Sequence, residues 1–154
     1  MEKVYIVAAR RTAIGSFLGS LKDVSPAQMG AHVVKQLLTD SGVAPDKVDE
    51  LICGNILSAG QGQGIARQIL IGAGIPDSKC AYSVNMLCGS GMKAVMEGAL
   101  KVAAGEADVV VAGGVESMSG APYLMPREVR QGIKMGGMQI KDHMITDALT
   151  DAFE

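Results

Sequence analysis

Cys80-Ala81-Tyr82-Ser83-Val84-Asn85-Met86-Leu87-Cys88-Gly89-Ser90-Gly91 is the stretch on which the fold turns, because in it an apolar run hands over to a helical pattern. The spacing predicts a strand from Cys80 to Leu87 and a helix from Gly89 to Ala104, closed by Gly105. Downstream, Ala107 to Ala112 reads as another strand, ending at Gly113-Gly114. Upstream, Val48 to Leu57 reads as a strand and Gly62 to Ile71 as a helix. Ser25-Pro26-Ala27-Gln28 joins an N-cap, a proline at the first helical position and a capping-box glutamine, which predicts a helix from about 26 to 41 that stops at Gly42. Lys3 to Ala9 is a short, partly β-branched apolar run and reads as a first buried strand. Strands separated by helices of this length imply an α/β fold, a layered and mostly parallel sheet flanked by helices.

That alternation covers residues 1–119, read as one α/β domain. Over 120–154 the pattern is broken by Pro122, Pro126, Gly132, Gly136 and Gly137, and from just before it methionine recurs, at 118, 125, 135, 138 and 144. This segment reads as the start of an irregular loop domain, and an oligomer contact, a ligand lid and a loosely packed loop all fit it. Its last residues have helical spacing at Met144, Leu149 and Phe153 without a closing cap, so the chain is expected to stop mid-element.

The composition narrows the function. With 48% hydrophobic and 19% charged residues in 154, the chain carries enough apolar surface for a packed core, and with 3% aromatics that core is aliphatic. A net charge of −2 without a basic run argues against nucleic acid as a partner. No apolar run approaches the roughly 20 residues that span a bilayer, and the start has no secretory pattern, so no membrane association is expected. Three cysteines, at 53, 80 and 88, form neither a disulfide framework nor a CxxC metal pattern. A cytoplasmic location and no metal follow as expectations.

Cys88 is the candidate nucleophile. A helix N-terminus favours a thiolate through its dipole and free amides, and the small residues Gly89, Ser90 and Gly91 open the backbone to a substrate. The turn follows the logic of a nucleophile elbow without a GxSxG sequence. Cysteine suits acyl transfer, since its thioester lies close in energy to a thioester substrate. A buried small hydrophobe is the competing reading, and it is the one adopted for Cys53 and Cys80, which fall inside predicted strands. His32, His143 and Glu116 are the candidate bases, none of them compelling. His32 reads as a helix-surface or packed residue, and His143 is as readily solvent-exposed as functional. Gly60-Gln61-Gly62-Gln63-Gly64 lacks the GK[ST] of a phosphate loop.

Several segments resemble the thiolases. Ile6 through Gly15, Gly54-Asn55-Ile56-Leu57, Ala66-Arg67-Gln68, the NMLCGSGMKAV of Asn85 through Val95, and Ala112 through Ser119 are similar to landmarks of the acetyl-CoA acetyltransferase branch. The resemblance covers the whole chain. It implies condensation of two acetyl-CoA molecules to acetoacetyl-CoA and coenzyme A, or the reverse thiolysis, through an acyl-cysteine at Cys88. Coenzyme A is then substrate and product, with no separate cofactor. It also implies that Leu149 contacts coenzyme A and that Arg67 and Gln68 lie near a dimer interface, with a homo-oligomer, dimer or tetramer, as the assembly. Thiolases are longer and are built from two similar halves. The second half supplies an asparagine, a histidine in a Gly-His-Pro context and a second cysteine, none of which occurs here. The chain is therefore expected to be an N-terminal portion that is inactive without the missing half. A non-catalytic assembly module with a vestigial Cys88 is the alternative, and a ketosynthase-like acyltransferase is a third reading.

Overall fold

The structure, a computed structural model, describes residues 2–153. Its centre is a parallel sheet of β1 (Glu50–Gly54), β2 (Cys80–Val84) and β3 (Val110–Gly114) in the order β2-β1-β3. Leu51 pairs with Ala81 on one side and with Val111 on the other. Helix α1 (Pro26–Ser41) precedes β1, α2 (Ile65–Ala73) links β1 to β2, and α3 (Ser90–Ala104) links β2 to β3. The predicted α/β architecture, a parallel sheet flanked by helices, is what the chain adopts.

Strand periodicity divides the side chains between two faces. Leu51 and Cys53 point into a core with Val34 and Leu38 of α1 and Ile65, Ile69 and Leu70 of α2, and Ala81 and Val111 pack against it. The intervening residues meet α3: the Tyr82 hydroxyl donates to Glu97 (2.9 Å), Lys101 pairs with Glu50 (3.0 Å), and a Cβ on Gly98 would lie 3.0 Å from Val110 Cγ1. Helices α1 and α2 pack so closely that a Cβ on Gly30 would stand 2.5 Å from Ile69 Cδ1.

Where local chemistry sets a boundary, expectation and structure agree. Ser25 Oγ accepts from Gln28 N (3.2 Å) and Gln28 Oε1 accepts from Ser25 N (3.0 Å), so α1 starts at Pro26, and Gly42 closes it at φ 68°. Other boundaries move. The strand read over 48–57 shrinks to Glu50–Gly54, because Pro45–Lys47 forms a 3₁₀ turn before it and the amides of Ile56 and Leu57 turn to the Glu116 carboxylate after it. The helix read from Gly62 begins at Ile65, since Gly60, Gly62 and Gly64 all take positive φ. The strand read over 107–112 becomes 110–114, because the Asp108 and Val109 amides donate to the Asp49 carboxylate (2.8 and 3.0 Å).

The strand expected over Lys3 to Ala9 is absent. Val4, Tyr5, Ile6 and Val7 are exposed, and the backbone bond from this end is Glu2 N to Ala103 O (3.0 Å), outside the sheet. An apolar β-branched run becomes a strand only where an edge pairs with it and a layer covers it. Beyond Gly120, β4 (Tyr123–Leu124) and β5 (Lys141–Asp142) form an antiparallel ribbon. A single π-helical turn, Ile145–Leu149, follows in place of the predicted helical pattern.

Candidate active site

Residue 88 sits where β2 leaves the sheet. Asn85 Oδ1 accepts from Leu87 N (3.0 Å) to start a tight turn, and Leu87 takes φ 48°, left-handed for a non-glycine residue. Buried Ser90 pins this strained turn: its Oγ accepts from Met86 N (2.8 Å) and donates to Leu87 O (2.6 Å). The strand therefore ends at Val84 and not at Leu87, and Cys88 is presented on the exposed outside of an elbow one turn before α3 is under way.

The elbow rests on the carboxyl ends of the parallel strands, where α/β sheets place ligands. Helix α3 reaches that position because Gly54 has no side chain: a Cβ there would lie 2.5 Å from Gly91 N. Likewise, a Cβ on Gly114 would stand 3.1 Å from Gly91 Cα. Beside the elbow, Glu116 binds the loop after β1. Its Oε1 accepts from Asn55 Nδ2 (2.9 Å) and Leu57 N (3.1 Å), and its Oε2 from Ile56 N (2.8 Å). A carboxylate so engaged is an anchor, which removes Glu116 from the candidate bases.

The three thiols differ. Cys53 is buried, and burial, followed by the nearby Glu116 charge, pushes its thiol up to about 11. It is a core residue as expected. Cys80 is exposed at the start of the outer strand β2, which corrects its reading as core, because a strand at the sheet edge buries little at its first residue. Cys88 is exposed as well. A cavity of about 220 Å³ between α1 and the sheet is lined by Met29, Leu37, Cys53 and Val115 among others, and Cys88 is not among its lining residues.

Residues 4–154 match the family model described as thiolase, N-terminal domain. The chain belongs to the thiolase family. It is 50% identical over 151 residues to acetyl-CoA acetyltransferase of Chromobacterium violaceum, covering 98% of this chain and 38% of that protein. It is 49% identical over 152 residues to the cytosolic acetyl-CoA acetyltransferase of Mus musculus, covering 99% and 38%. The crystal structure of the Acat5 thiolase from Ascaris suum in complex with coenzyme A superposes with a TM-score of 0.92 at 42% identity, covering 97% of this chain and 38% of that one. The chain thus spans somewhat over a third of the length of the thiolases it matches.

The other residues singled out in the sequence are scattered. Exposed Leu149 ends the π-helical turn. Arg67 donates to the backbone oxygens of Asp77 and Lys79, and Gln68 Nε2 to those of Gln61 (2.8 Å) and Gln63 (3.0 Å), so both brace loops of the thiolase domain. His32 is exposed on α1, while His143 is buried against the ribbon. Among the described residues neither histidine hydrogen-bonds Cys88. Ser90 and Asn55 went unrecognised in the sequence. The spacing of a small polar residue two positions after a candidate nucleophile was visible, but its partners were not. No helix among the described residues is long and apolar enough to cross a membrane.

Proposed function

We propose that this chain carries the acyl-accepting part of an acetyl-CoA acetyltransferase, with Cys88 as the nucleophile. The observation that supports this best is the elbow: an exposed cysteine held by the Leu87 turn and the Ser90 pin at the carboxyl ends of three parallel strands, in a chain of thiolase sequence. The Cys88 sulfur attacks the carbonyl carbon of acetyl-CoA, a carbon–sulfur bond to Cys88 forms, the bond to the coenzyme A sulfur breaks, and the thiol proton leaves with coenzyme A. To the backbone N–H of Cys88 this reading assigns the developing oxyanion, as the resemblance to thiolases implies. Leu149 is assigned to coenzyme A contact, within a 120–154 segment that serves assembly and ligand covering.

The condensing step needs a base for the second acetyl-CoA. That step, and the homo-oligomeric assembly, are assigned to the whole protein, in which a second portion covers the open side of α3. The apolar residues exposed there, Met92, Met96 and Leu100, support that assignment. A cytoplasmic setting belongs to the same reading, supported by the free thiols and by the cytosolic relative.

The test is peptide mapping after incubation with acetyl-CoA, in a Cys80→Ser background that leaves one exposed thiol. An acetyl adduct on Cys88, lost in Cys88→Ser, is the expected result. No adduct, together with slow alkylation of Cys88 by iodoacetamide, overturns the nucleophile and leaves an assembly module.

A further inference from the structure

We infer that His143 is a positioning residue, holding the π-helical turn that carries Leu149 in the conformation that meets an acyl-CoA. The inference rests on the acyl-CoA reading above and adds to it a residue outside the elbow.

His143 is 6% exposed, in a segment whose neighbours from 131 to 140 are all exposed. Its backbone N donates to Pro122 O (3.2 Å), continuing the β4–β5 ladder by one step. The side chain then reaches one turn ahead, placing Nδ1 2.5 Å from Asp147 Oδ2. A carboxylate only accepts, so Nδ1 donates in this bond, which leaves Nε2 outside it. That Nε2 is buried without a hydrogen-bond partner among the described residues. Buried polar atoms are nearly always paired, so an imidazole kept inside with one nitrogen idle points to the task of the other.

The task is mechanical. π-helical segments are rare and occur mostly as single turns, and this one ends with Thr150 N donating to Ile145 O (2.9 Å). The Asp147 side chain is 49% exposed and that of His143 7%, so their bond ties the surface of the turn to the ribbon beneath it. Leu149 is the last residue of the turn and 58% exposed, and its placement follows from that tie. Because the ribbon shares no residue with the main core, loosening the tie disturbs the turn without unfolding the sheet.

The experiment titrates coenzyme A into the full chain by calorimetry, for wild type, His143→Ala, His143→Gln, His143→Asn and Asp147→Ala, with alkylation of Cys88 and thermal melting measured alongside. Asparagine places an N–H donor at the same branch as Nδ1, whereas glutamine places it one atom further out. His143→Ala, His143→Gln and Asp147→Ala are expected to weaken coenzyme A about tenfold, equivalent to about 1.4 kcal/mol. His143→Asn stays within about twofold of wild type, and Cys88 alkylates at the wild-type rate in all variants. Asp147→Ala releases the tie without opening a void, so the test survives misfolding of His143→Ala. Wild-type affinity in both His143→Gln and Asp147→Ala overturns the positioning role, as does equal weakening in His143→Asn with a matching fall in melting temperature. Failure of the wild-type chain to bind coenzyme A overturns the acyl-CoA reading, and the positioning role with it.

Discussion

The two sides of the three-stranded sheet are built from similar aliphatic residues but are covered differently. On one side α1 and α2 enclose a continuous core in which Leu70 is 0% and Ile69 2% exposed. On the other, α3 covers the strands and then presents Met92, Met96 and Leu100 outward at 71%, 52% and 62% exposure. Residues three and four apart on a helix share a face, so these form an apolar stripe and not scattered surface residues. The closed side is where stability resides. The open side is where Cys88 emerges, at the foot of the helix that bears the stripe.

The largest expected effect contrasts the sides directly. Leu70→Ala should cost about 2–5 kcal/mol in urea denaturation, and Leu100→Ala about 0.5 or less. Equal costs would break the distinction. Next, Gly54→Ala should cost about 1–3 kcal/mol and change the alkylation rate of Cys88, since the new Cβ meets the α3 backbone and not a yielding side chain. Loss of stability with unchanged Cys88 reactivity would show that the elbow is placed independently of β1.

A pH series sharpens the contrast further. Burial raises the Cys53 thiol from 9.0 to about 11, so the folded state favours the protonated form. That stability is complete below about pH 9 and is lost as pH rises toward about 11, because the unfolded chain releases its proton first. Denaturation midpoints should fall over this window and the slope should lessen in Cys53→Ala. An unchanged slope would assign the alkaline loss elsewhere, Tyr82 included. The smallest effect on stability belongs to Met96→Lys with Leu100→Lys, expected to stay within about 0.5 kcal/mol of wild type while lowering self-association in sedimentation velocity. Unchanged association would remove the stripe as a contact surface.

Much of the fold was legible because it depends on close neighbours in sequence. The capping box at Ser25 and Gln28, the stops at Gly42 and Gly105 and the change of period at Cys88 each act across a few residues. The site was legible in part. Cys88 stood out by its glycines and Cys53 was read as core, but Ser90 passed as a spacer, Glu116 stood among the candidate bases, and Cys80 was read as core.

The amino-acid sequence by itself determined the alternation of elements, their caps and the position of the candidate nucleophile at a strand-to-helix junction, since hydrogen bonds and periodicity within a turn or two suffice for these. Only the tertiary structure decided that Val4 to Val7 stays outside the sheet, that Cys80 is exposed, that His143 is enclosed and that Glu116 anchors residues about 60 positions away. Each of those outcomes depends on which distant segment supplies a partner or a cover, and burial is a property of the neighbours a residue meets in space.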